Sequence, residues 1–299
     1  MNKNSFLLKI AHLHANLLFN KLRFPGSRKI ARKISKLILP ELSSNTEINT
    51  IYGYSIEVSP KWGEDVYNLG FYEAGTLKFI NLILRNTTNT FLDIGANIGL
   101  MSLHAAYSLN GNGKVIAFEP VQFFYDKLNA NIQLNSFKNI QTIKKGVGSV
   151  SAKIPIYLDG GCPSVISTFR DENGTTEMID VESLDEIVRN ENISNIDFIK
   201  IDVEGFEFDV LKGARKTIAD HKPVLCIEYI KKISDDSFNA KTLTEYLKEL
   251  NPEYRFFQFK DTSRVEGKLK EVAFENDFND EDNLFCVSSK HMVLIQSIL

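Results

Sequence analysis

The stretch TFLDIGANIGLMSLHAAYSLNGNGKVIAFEP, residues 90–120, decides the fold. It opens with strand-forming residues, TFLDIG at 90–95, and turns through Gly95 and Gly99. A helix is predicted over 98–109 and a second strand over 114–120. A strand, a tight turn, a helix and a second strand in this order form the unit from which parallel sheets are built.

The same rhythm continues outward. A strand at 140–148 is followed by a predicted hairpin, AKIPIYLDG at 152–160. A short helix at 183–190 leads to a strand at 197–203 and a helix at 206–219. A strand at 223–230 precedes a helix at 241–250, and the segments YRFFQF and NLFCVSS close the chain as strands. Upstream, strands are predicted around 50–58 and a turn and helix over 69–86. Strands alternating with helices predict an α/β fold with a doubly wound, mostly parallel sheet. The last two strands, joined without a helix, predict an antiparallel edge.

The turn at 92–99 reads LDIGANIG. Its glycines permit a tight turn and close backbone approach to a ligand. The spacing is G-x-N-x-G, whereas a dinucleotide loop reads G-x-G-x-x-G, and Asp93 would repel a pyrophosphate. A ligand carrying an ammonium group suits that carboxylate instead. Glu119 ends the next strand, where an acid in doubly wound folds takes ribose hydroxyls. The run KKGVGS at 144–149 ends the third strand, where backbone groups can pack on a purine.

A second polar constellation lies in IDFIKIDVEGFEFDVLKG, residues 196–213. Lys200, Asp202 and Glu204 alternate with apolar residues, and the two-residue period puts them on one face of a strand. Glu228 ends the following strand. Carboxylates at the C-terminal ends of parallel strands sit at the ligand-binding edge of such a sheet. Converging acids repel one another, which raises at least one pKa and suits a general base. Plainer roles compete. Lys200 can be a buried partner of Asp202, and Glu204 a turn residue ahead of a helix whose first turn holds Glu207 and Asp209. A divalent cation on Asp202, Glu204 and Glu228 is a further, less favoured reading. His104 reads as a packed residue.

Together, Asp93-Ile94-Gly95-Ala96-Asn97-Ile98-Gly99, Phe118-Glu119-Pro120 and Lys200-Ile201-Asp202-Val203-Glu204-Gly205 with Glu207 form a composite that resembles the FkbM family of S-adenosylmethionine-dependent methyltransferases. The likeness covers roughly residues 65–230, including LKGA at 211–214. It implies a class I methyltransferase fold, Rossmann-like, with a seven-stranded sheet ending in an antiparallel hairpin. It implies that Asp93, Gly95, Asn97 and Gly99 line the methionine end of S-adenosylmethionine and that Glu119 holds its ribose. Phe118 and Val147 would flank the adenine, and Glu73, in FYEAG, would lie over the cofactor. The implied reaction is methylation of oxygen on a sugar, glycan or secondary-metabolite hydroxyl, with nitrogen or carboxylate acceptors as the alternative. A binding protein without catalysis is a further alternative.

Composition sets outer bounds. The chain has 299 residues, 43% apolar and 24% charged, with a net charge of −3. That balance gives no reason to expect nucleic-acid binding. Three separated cysteines, Cys162, Cys226 and Cys286, fit free thiols and a cytoplasmic setting. The basic residues are unevenly spread: residues 1–50 hold nine Lys/Arg against Glu41 and Glu47. Two helices are predicted there, about 4–23, ending at Phe24-Pro25-Gly26, and from Ser27 to just before Pro40. Ile30, Ile34, Leu37 and Ile38 of the second recur at helical spacing. The expectation is a basic amphipathic extension, 1–50, ahead of a catalytic domain, 51–299. The extension either docks on the protein or makes a peripheral membrane or protein contact.

Overall fold

The structure, a computed structural model, describes residues 3–18, 27–85, 87–158, 163–165, 175–230, 239–260, 268–273, 278–279 and 281–299. The predicted helix stop at 24–26 and Cys162 lie outside them. Helices α1 (Lys3–Leu17) and α2 (Ser27–Ile38) precede a hairpin of β1 (Thr46–Asn49) and β2 (Ser55–Val58). The boundary expected at 50–51 thus falls in the turn of that hairpin. Next come α3 (Glu64–Leu69), α4 (Ala74–Leu84), β3 (Thr90–Ile94), α5 (Leu100–Leu109), β4 (Lys114–Phe118), α6 (Gln122–Gln133) and β5 (Ile140–Ile143). After these lie β6 (Gly146–Gly148), β7 (Ala152–Tyr157), β8 (Thr176–Ser183), α7 (Leu184–Asn190) and β9 (Ile196–Ile201). The rest comprises α8 (Glu207–Gly213), α9 (Arg215–His221), β10 (Val224–Ile230), α10 (Ala240–Leu250), β11 (Arg255–Phe259), β12 (Leu269–Glu271) and β13 (Glu281–Val287), before short C-terminal helical turns.

The main sheet has the order β12-β11-β13-β10-β9-β3-β4-β5. Strands β5, β4, β3, β9 and β10 run parallel. β13 inserts antiparallel between β10 and β11. This is the class I methyltransferase form of a doubly wound sheet, with β12 added as an eighth strand on the β11 edge. The antiparallel strand therefore lies inside the sheet rather than at its margin. Strand order reverses between β3 and β9, and the crevice above their C-terminal ends is where ligands bind in such sheets.

Both faces of the sheet are buried, as parallel strands covered by helices require. One face carries Phe91, Phe198, Val224 and Phe285 under Phe79 of α4. The other carries Leu92, Ile94, Ile116, Ile199, Ile201 and Leu225 under α8 and α9. Each such side chain contributes about 1.5–3 kcal/mol by leaving water.

Two departures from the sequence reading matter for the site. The strand expected over 140–148 is two strands: β6 leaves the main sheet and pairs with β8, which also pairs with β7. The helix expected over 206–219 breaks at Ala214 into α8 and α9. Gly213 explains the close fit there, since a β-carbon on it would stand 1.8 Å from the Gly148 carbonyl oxygen. Helix α8 is thereby pressed against β6.

Helices α1 and α2 dock on this body through small residues. Ala11, Ala15, Ala31 and Leu39 are buried. His12 Nε2 lies 2.8 Å from the Tyr67 carbonyl oxygen, and the Tyr67 hydroxyl donates to the Pro40 carbonyl at 3.0 Å. Arg32 pairs with Asp65 at 2.6 Å and Lys36 with Glu64 at 2.8 Å.

Candidate active site

Above the reversal of strand order lies a cleft of about 560 Å³. It is lined by Asp93, Gly95, Asn97, Phe118, Glu119, Val147, Glu73, Lys200, Asp202, Glu204 and Glu228, so eleven of the twelve site residues expected from sequence meet there. Gly99 is absent from the lining. It stands at the N-cap of α5 with φ 94°, and Leu128 packs against it.

The loop between β3 and α5 is held from below by the next strand. Backbone N–H groups of Gly95 and Ala96 donate to the Phe118 carbonyl at 3.1 and 2.9 Å. Glu119 accepts from the Asn97 N–H at 2.8 Å and from the Val121 N–H at 3.0 Å. Burial, set against those two bonds, raises its carboxyl to about 7. Each Glu119 oxygen keeps a lone pair for a hydroxyl in the cleft. Asp93 is fully buried; its Oδ2 accepts from Ser102 at 2.5 Å, and its Oδ1 has no partner. Its pKa is raised, chiefly by burial, against the pull of Lys200. A buried carboxylate oxygen without a donor fits a ligand that brings an ammonium group.

Lys200 is the buried cation of the site, at 2% exposure. In register it lies between Asp93 on β3 and Cys226 on β10, on the same face as Phe198. That face is sheet core, and it becomes polar only at its C-terminal end. The Lys200 ammonium donates to Asp202 at 2.5 Å. Burial pulls its pKa down, but the carboxylates of Asp202, Glu73 and Asp93 more than compensate and hold the ammonium charged.

The strand stops at Ile201, so Glu204 is not on the face of a strand as its spacing suggested. It sits in a turn with φ 54°, a left-handed conformation costly for a side chain with a β-carbon. Glu207 braces that turn: its buried Oε1 accepts from the N–H groups of Val203 at 3.0 Å and Gly205 at 3.1 Å. Burial raises this carboxyl also to about 7. Sequence assigned Glu207 to a helix start, and its reach back to the 203–205 loop depends on a turn that the motif does not reveal. Asp209, by contrast, pairs with Lys212 on the surface.

Asp202, Glu204 and Glu228 each place a carboxylate oxygen within 4.8 Å of the others. Glu228 Oε2 is buried without a partner. Its pKa rises to about 10, first by burial and then by the carboxylates of Asp202, Glu204 and Glu207. Glu228 is therefore a neutral carboxylic acid near pH 7, not a base in waiting. Glu73, also in a left-handed conformation at φ 44°, accepts from Asn283 at 2.9 Å. Burial raises its pKa too. His104 is fully buried, held down to about 4 by burial, and bonded to the Leu77 carbonyl at 2.8 Å.

Sequence missed the walls. Trp62, Tyr72, Ile156, Ile179 and Val181 line the cleft, and Arg32 of α2 reaches its margin. Most lie on β7 and β8, whose pairing joins segments far apart in the chain.

A glycine-turned β3–α5 loop, an acid closing β4 and an acid cluster closing β9 and β10 meet in one candidate ligand site on a class I methyltransferase fold. The family model described as the methyltransferase FkbM domain matches residues 93–256, more than half of the chain. The chain belongs to the FkbM methyltransferase domain family. It is 28% identical over 158 residues to methyltransferase sdnD of Sordaria araneosa, covering 42% of this chain and 61% of that protein. Over 171 residues it is 27% identical to the hexuronic acid methyltransferase AglP of Haloferax volcanii, covering 56% and 67% respectively. A solved FkbM methyltransferase from Methylobacillus flagellatus KT superposes with a TM-score of 0.49 at 23% identity, over 72% of this chain and 48% of that one. The chain thus spans less than two thirds of the Sordaria and Methylobacillus proteins.

Proposed function

We propose that the protein is an S-adenosylmethionine-dependent methyltransferase acting on a hydroxyl of a sugar, glycan or secondary metabolite. The observation that carries this reading is the meeting of two half-sites in one cleft: Asp93, with one unpartnered oxygen, and Glu119 on one side, and Asp202, Glu204 and Glu228 on the other. Bound S-adenosylmethionine would supply an electrophilic methyl group on its sulfonium.

Asp93 Oδ1 receives the cofactor's ammonium, and Glu119 accepts from its ribose hydroxyls while bracing the loop. Phe118 and Val147 pack at its adenine end. On the acceptor side, Lys200 holds the Asp202 carboxylate in place, and Asp202 or Glu204 takes the proton from the attacking hydroxyl. Glu228, protonated, donates a hydrogen bond to the acceptor or to Asp202. The cluster favours a hydroxyl over a carboxylate acceptor, since an entering carboxylate would meet ionised acids. The Lys200 ammonium supplies the counter-charge that a divalent cation on the same oxygens would otherwise bring.

The reading is tested by titration calorimetry with S-adenosylhomocysteine. Binding that Glu119→Ala weakens supports it; no heat at any concentration overturns it.

A further inference from the structure

The first two helices carry an apolar stripe on the side away from the body. On α1, Phe6, Ile10, Leu13 and Leu17 fall on one side at helical spacing and are exposed, Leu13 by 72%. On α2, Ile30 and Leu37 do the same, Leu37 by 86%. The opposite sides supply the buried alanines and Leu39, so each helix spends one face on the body and leaves large apolar groups on the other. Single exposed leucines are ordinary, but a stripe along two packed helices is not.

Charge says what such a stripe faces. Residues 1–40 hold nine Lys/Arg and no Asp or Glu, in a chain whose net charge is −3. Lys29 and Lys33 are exposed beside the stripe on α2. A second copy pairing through this face would set two strongly basic surfaces against each other, which is unfavourable. An apolar ridge flanked by lysines matches a layer with an anionic surface and an apolar interior, and long lysine side chains reach outward to the headgroups. Among the described residues, no helix is long and apolar enough to cross a membrane.

We propose that α1 and α2 seat the protein on an anionic lipid surface. Phe6, Ile10, Leu13, Leu17, Ile30 and Leu37 enter the headgroup layer, and the lysines beside them pair with lipid phosphates. The inference uses neither the cofactor nor the acceptor and stands apart from the proposed reaction.

The test is vesicle flotation of the full chain with phosphatidylcholine alone and with phosphatidylcholine mixed with phosphatidylglycerol. The expected result is retention on the mixed vesicles, release by added salt, and weak retention on the neutral ones. Leu13→Glu combined with Leu37→Glu, and separately Lys29→Glu combined with Lys33→Glu, should each weaken partitioning by about tenfold or more. These positions are exposed, so circular dichroism and thermal transitions should match the parent chain. Absence of retention on the mixed vesicles overturns the proposal, as does retention that neither variant reduces. A dimer seen by light scattering that Leu13→Glu/Leu37→Glu dissolves also overturns it, because a second copy would then cover the stripe.

Discussion

The Asp202 carbonyl oxygen fills the space that a side chain at Gly95 would need: a β-carbon there would stand 1.8 Å from it. The Asp202 N–H in turn donates to Ile94 at 3.0 Å, so the two loops at neighbouring strand ends are joined through backbone. Gly95 also has φ 84°, which side-chain-bearing residues rarely adopt. Gly95→Ala should therefore cost at least about 2 kcal/mol of stability and separate the loops. Thermal denaturation and calorimetry with S-adenosylhomocysteine should show both losses together.

The acids should separate by protonation state. Asp202→Asn and Glu204→Gln should lower turnover roughly 10²–10⁴-fold while cofactor affinity survives. Glu228→Gln replaces an already neutral acid with a neutral isostere and should retain most activity near pH 7. Steady-state rates with labelled cofactor and a hydroxylated acceptor decide this; full activity in both base variants would reject the assignment.

Lys200 is buried against Asp202 with Asp93 and Glu73 nearby. Removing one member of such a group leaves uncompensated buried charge. Lys200→Met should thus destabilise by about 3–5 kcal/mol, and adding Asp202→Asn should recover part of the loss. Urea unfolding of the two single variants and the double variant gives the coupling directly.

Stability should fall as pH rises. Glu119 and Glu207 titrate at about 7 in the folded chain and Glu228 at about 10, all above the ordinary carboxylate value of 4.5. The folded state therefore holds these protons where the unfolded state has lost them. Their stabilisation is complete below pH 4.5 and is lost through about 7 for the first two and about 10 for Glu228. Melting temperature against pH should decline over that window, and Glu228→Gln should flatten its alkaline part.

Chelation should leave turnover unchanged, because Lys200 already neutralises part of the cluster. Loss of activity in a chelator, restored by magnesium, would show that a cation sits on Asp202, Glu204 and Glu228 instead.

Much of this fold was legible because the signal was local. The stretch 90–120 shows β3, its glycine turn, α5 and β4 within a few residues of their bounds, since apolar strands and a glycine loop are read from neighbours in sequence. The acids after β9 were legible as residues but not as geometry. Nothing in the alternation of Lys200, Asp202 and Glu204 reveals that the strand ends at Ile201, so Asp202 lies just past the strand and Glu204 in a turn that Glu207 holds. β8 escaped notice because only Ile179 and Val181 mark its buried face, and its partners lie far away in sequence. The break at Ala214 lies beside the close approach of Gly213 to Gly148, a tertiary contact that helix propensity does not report.

Gly213 ties α8 to the strand bearing Val147, as Gly95 ties the β3–α5 loop to Asp202, so the two sides of the cleft form one frame clamped at two points without side chains. The cleft walls on β7 and β8 join that frame through the pairing of β8 with β6. Substitutions in the walls can therefore reshape the cleft without disturbing either clamp.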